Sequence, residues 1–85
     1  MTTKDDIREW FERGKAQGAG HLLVVCDTFS HEDYPVFCMP EESLPDKANQ
    51  YHGPNMQRVM ECYDLNKDME NQLAERRAFH GWSPV

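Results

Sequence analysis

Leu22-Leu23-Val24-Val25-Cys26 is the one unbroken apolar run in the chain, and it limits the fold more than any other feature. A run apolar on both faces of an extended segment suits a central strand covered from both sides. Alternation sets in after Cys26, and the strand is predicted over residues 21–29. A polar break follows, Ser30-His31-Glu32-Asp33, and then a second β-prone stretch, Tyr34-Pro35-Val36-Phe37-Cys38-Met39. Two such runs joined by a few polar residues read as a β-hairpin. With the turn centred on Glu32, Cys26 falls directly opposite Cys38. Pro35 has no N–H to give to a ladder, so the second strand belongs at an edge.

The flanking segments supply cover for this hairpin. Thr3 and Asp6 form an N-cap signature, and Asp5 and Asp6 fill the first turn, where the helix dipole favours anions. Ile7, Trp10 and Phe11 then share one helical face, with Gly14 on the same stripe, where a missing side chain permits close approach to the sheet. Gly18-Ala19-Gly20 ends this helix and turns the chain into the first strand. Between residues 40 and 55 a short helix starts at Ser43, with Pro45 in its first turn and Leu44, Ala48 and Tyr51 along one face. Gly53 and Pro54 stop it.

Residues 56–65 fit two periods. Met56, Val59, Met60 and Tyr63 make a helical stripe. Val59, Tyr63 and Leu65 on one face, with Met60 and Cys62 on the other, make a strand. A hairpin alone is marginal in water, and turn-like residues flank the segment, so a third strand is predicted. A last helix is predicted from Asn66 to His80, with Gly81 as its left-handed cap and Trp82 folding back on its end. Ser83 to Val85 form a tail. The expected architecture is α+β, in the order α-β-β-α-β-α, a three-stranded antiparallel sheet with helices packed mainly on one face. Trp10, Phe11, Leu23, Val25, Phe37, Val59, Tyr63 and Leu73 should form much of the core.

Eighty-five residues amount to one domain with a thin core. Fifteen acids against nine bases leave a net charge of -6, which disfavours nucleic-acid backbones and anionic membranes as partners. The acidity suits a basic protein partner. No charged-then-apolar leader opens the sequence, and no apolar run approaches the roughly 18 residues of a membrane span. Three cysteines without close pairing suit free thiols in a reducing cytoplasm. The expectation is a cytoplasmic protein.

Asp27-Thr28-Phe29-Ser30-His31-Glu32-Asp33-Tyr34-Pro35-Val36 and Met56-Gln57-Arg58-Val59-Met60-Glu61-Cys62-Tyr63-Asp64-Leu65 give the chain a further handle. In these stretches it resembles a group of short, uncharacterised bacterial and phage-type proteins of similar length. The resemblance implies an intracellular accessory protein of a phage or mobile element. It brings no activity and no site residues with it.

The densest chemical cluster is the polar turn. Asp27, Ser30, His31, Glu32, Asp33 and Tyr34 form the candidate interaction surface. No motif for a catalytic residue, a cofactor or a metal is assembled: the spacing is neither that of an EF-hand nor H-E-x-x-H, no C-x-x-C is present, and Gly18-Ala19-Gly20 is no phosphate loop. The first functional expectation is therefore a non-enzymatic interaction protein, acting through the acidic hairpin tip or a sheet edge on a protein partner or on a second copy of itself. Asp27, His31, Glu32 and Asp33 supply the alternative, a small metal- or ligand-dependent enzyme. Acidic inhibition of a DNA-binding enzyme is the third. Asp27 also has a plainer role open to it, bonding the amides of its own turn.

Overall fold

A computed structural model describes residues 2–53 and 56–84. The elements follow as α1 (Lys4–Ala16), β1 (His21–Asp27), β2 (Glu32–Cys38), α2 (Leu44–Gln50), β3 (Gln57–Asp64) and α3 (Met69–Leu73). The three strands form one antiparallel sheet in the order β2-β1-β3. The order of elements, the sheet and the choice of strand for residues 57–64 are those expected from the sequence.

β1 is central because its apolar run has two faces to bury. Leu22 and Val24 join Ile7, Phe11, Tyr63, Leu65 and Leu73 under α1 and α3, while Leu23 and Val25 join Val36, Ala48, Val59 and Cys62 under α2. Two of the three helices thus share one face. Of the expected core, Trp10 and Phe37 are half-buried against the first cluster, and the rest are fully buried.

α1 begins as its sequence requires. The Thr3 hydroxyl accepts from the Asp6 N–H at 3.2 Å, and the Asp6 carboxylate accepts from the Thr3 N–H at 3.0 Å. Arg8 then grips the Glu70 carboxylate through two N–H groups, each at 3.0 Å, and so ties α1 to α3. At Gly14, α1 packs tightly on its neighbours: a Cβ there would stand 2.8 Å from Leu65 Cδ1 and 3.0 Å from the Phe37 ring. Ser43 caps α2, and Gly53 follows it at φ +104°. Pro54, the other expected stop, lies outside the described residues, as does Asn55.

Six expectations are corrected. The hairpin turns earlier than Glu32: Asp27 pairs with Glu32, and residues 28–31 form the loop. The cause is Asp27, whose Oδ1 accepts from the N–H groups of Phe29 at 2.9 Å and Ser30 at 3.3 Å, closing the turn at once. Cys26 therefore faces Asp33, and Cys38 faces His21 instead of Cys26.

The facial assignment of β3 also changes. Val24 pairs with Glu61 but Val25 pairs with Val59, so Met60 is an extra residue in the ladder. This bulge brings Val59 and Cys62 together under α2 and sends Met60, Tyr63 and Leu65 to the α1 side.

The last helix stops at Leu73, far short of His80. Beyond Leu73 its stripe would continue through Arg76 and Arg77, which have nothing to bury. The chain instead swings Ala78 and Phe79 onto the outer edge of β3. There the Cys62 N–H donates to the Ala78 carbonyl at 2.8 Å and the His80 N–H donates to the Cys62 carbonyl at 2.9 Å. Gly81 keeps its expected left-handed conformation, φ +94°, but in a turn after this crossing instead of a helix cap. Trp82 accordingly packs into the α2-side cluster and meets the His52 ring edge-on at 5.4 Å, not the end of a helix.

Gln72 closes the sheet's lower end. It is fully buried, and its amide accepts from the Asp64 N–H at 2.8 Å while donating to the Asp64 carbonyl at 2.9 Å and the Asp68 carbonyl at 3.1 Å. A side-chain amide here stands in for a neighbouring strand. No helix among the described residues is long and apolar enough to cross a membrane.

Candidate functional site

The turn residues singled out in the sequence separate in space. Asp27 ends β1 with its carboxylate committed to the turn amides. Tyr34 lies on the α2 side, its hydroxyl bonded to the Gln57 side chain, and burial pushes its phenol above the ordinary value. Ser30 is exposed. His31, Glu32 and Asp33 line a cleft of about 350 Å³ on the other side, against Thr2, Asp6 and Trp10 at the start of α1. Trp10 is thus partly core and partly cleft wall.

Among the described residues, no group of three or more His, Cys, Asp and Glu could hold a metal ion. The thiols are no more poised for chemistry. Burial raises the Cys38 thiol, raises the half-buried Cys26 thiol beside Asp33, and pushes Cys62 up to about 12. Each therefore stays protonated and weakly nucleophilic near neutrality.

The hairpin end carries a feature not expected from the sequence. Phe29 is 77% exposed and Met56 is 56% exposed, and they are the exposed large hydrophobic residues among those described. They belong to one corner. Thr28 donates both its N–H and its hydroxyl to the Met56 carbonyl, each at 2.8 Å, which fixes the hairpin loop to the start of β3. His31 at φ 60° and Met56 at φ 59° are the non-glycine residues in left-handed backbone, and both flank this corner. Such conformations cost about 1–2 kcal/mol per residue, so the corner holds its shape against local preference. The sequence signal was available in Phe29, an aromatic residue inside a polar turn with no strand partner left to it.

The two edges of the sheet differ. β3's outer edge is paired by residues 78–80. β2's is unpaired among the described residues, but Pro35, opposite Val24, interrupts its N–H row, and Glu32 begins it. Proline and charge are the usual means of blunting an edge.

The chain matches no protein-family model, no curated protein and no solved structure.

Proposed function

We propose that this protein is a non-enzymatic, cytoplasmic interaction protein that engages a protein partner through its hairpin end. The observation that carries the reading is the corner formed by Phe29 and Met56. These are the exposed large apolar side chains among the described residues, and they stand on backbone fixed by the Asp27 turn and the Thr28 bonds. Rigid, exposed apolar anchors lose little entropy on binding. Asp27 and Glu32 beside them favour a partner with basic groups around an apolar socket. The tip is preferred to the β2 edge as the point of contact because Pro35 spoils that edge for strand addition. The resemblance in residues 27–36 and 56–65 covers this corner and supports an accessory role in a phage or mobile element.

The test is a pulldown from the native host with the parent chain and a Phe29→Ser/Met56→Ser double variant, alongside light scattering. A partner retained by the parent and lost by the variant supports the reading. So does a dimer that the double variant abolishes, in which case the partner is a second copy. A strict monomer that captures nothing, or a partner bound equally by both chains, overturns it.

A further inference from the structure

Among the described residues, three clefts of similar size can be compared, and their charges tell them apart. The one beside Trp10 is walled by Asp6, Glu32 and Asp33. The one over Ile7, Val24 and Met60 holds Arg76 and shares Arg77 with the third, but it also contains Glu61 and Asp33. The third, about 420 Å³, is lined by His52, Arg58, Val59, Arg77, Phe79 and Pro84 and contains no carboxylate among the described residues.

That absence is unusual in a chain with fifteen acids and nine bases. Arg8 and Arg13 are held by Asp5, Glu70 and Glu9. Arg58 and Arg77 make no ion pair among the described residues, and both stand on this cleft. Its remaining wall is apolar: Val59 is buried, and Phe79 packs into the α2-side cluster. His52 is fixed in place, since its Nδ1 accepts the Val59 N–H at 3.2 Å and its ring meets Trp82 edge-on. An Nδ1 that accepts leaves the ring's hydrogen on Nε2, so His52 contributes a further donor.

We infer that this cleft, between the start of β3 and the C-terminal crossing, binds a small organic anion: a carboxylate or phosphomonoester headgroup on an apolar body. Two guanidinium groups match such a headgroup with paired N–H donors. Val59 and Phe79 offer the body an apolar wall, and the volume falls in the range of about 300–1,000 Å³ that small-ligand sites occupy. The acidic remainder of the surface makes binding modest and raises selectivity for ligands whose apolar part compensates. The inference stands apart from the hairpin-end reading, which uses other residues.

The probes are benzoate and phenyl phosphate, with acetate, inorganic phosphate and benzyl alcohol as controls. The readout is the indole N–H signal of Trp82, which packs on His52; Trp10, in another cleft, is the internal reference. Benzoate or phenyl phosphate should shift Trp82 and leave Trp10 still, and should bind at least tenfold more tightly than acetate, inorganic phosphate or benzyl alcohol. Arg58→Gln and Arg77→Gln should each weaken binding about tenfold, roughly the loss of one charge-assisted contact. Arg76→Gln, outside this cleft, should not. All three side chains are exposed, so the variants should melt with the parent. No Trp82 shift with either aromatic anion, an equal response to benzyl alcohol, or binding that survives both Arg58→Gln and Arg77→Gln would overturn the inference.

Discussion

Where His21, Cys38 and Asp64 stand side by side, the sheet is closed: Gly14 lets α1 approach to contact distance, and the buried Gln72 bonds the Asp64 backbone. Where Asp27 pairs with Glu32 and Gln57, it is open: Phe29 faces water, and His31 and Met56 hold left-handed backbone. The same three strands run through both ends. What differs is whether residues were placed to bury apolar surface or to expose it.

The widest gap should appear between two phenylalanines. Phe11→Ala removes a ring that is 1% exposed and should cost about 3–5 kcal/mol. Phe29→Ala should stay within about 0.5 kcal/mol, because its ring is already in water. Urea melts of both variants decide this; equal losses would erase the contrast between the ends. Next comes Gln72→Ala, which strips the Asp64 N–H and carbonyl of their partners and should cost about 2–3 kcal/mol.

Alkaline pH probes the closed core through a different group. The Cys62 thiol is raised from 9.0 to about 12, chiefly by burial, and burial with the Glu61 hydrogen bond also raises Tyr63. A raised value means the folded state keeps a proton that the unfolded state releases. Stability is then whole below pH 9 and falls as pH climbs toward 12, by about 1.4 kcal/mol per pH unit for each group titrating only in the unfolded chain. Melts at stepped pH should show this fall, shallower in Cys62→Ala. Thiol labelling at neutral pH should reach half-buried Cys26 first and spare Cys38 and Cys62 until unfolding.

How much of this could be read in the sequence divides along the same line. The closed end was legible because its signals are local: the Leu22–Cys26 run that starts there and the gap at Gly14 each imply burial without knowledge of the partner. The errors arose where a single residue overrides a period. One carboxylate, Asp27, moved the hairpin register, and one bulged residue, Met60, moved Val59 and Cys62 to a shared face. The early end of α3 was visible in principle, since Arg76 and Arg77 fall where its apolar stripe should continue. Met56 was not, because its exposure follows from a hydrogen bond to Thr28, twenty-eight residues away. The clefts required the third dimension: His52, Arg58 and Arg77 are unremarkable singly and meet only because residues 78–80 cross β3.

The smallest expected effect asks whether the open end is built for contact or merely unfinished. Met56→Gly relieves a left-handed residue, worth about 1–2 kcal/mol, but gives the unfolded chain more freedom, worth about 0.5–1 kcal/mol. The net should be a gain of no more than about 1.5 kcal/mol. His31→Gly should behave alike, since its side chain is exposed and its backbone is similarly placed. If the side chain at 56 serves only the fold, Met56→Gly should lose stability. If it is kept for a partner, the variant should melt at or above the parent while losing the partner that the pulldown recovers. The two glycine variants together separate backbone from side chain: His31→Gly relaxes the same corner without removing an apolar group, so it should gain stability and keep binding, and only Met56→Gly should exchange one for the other.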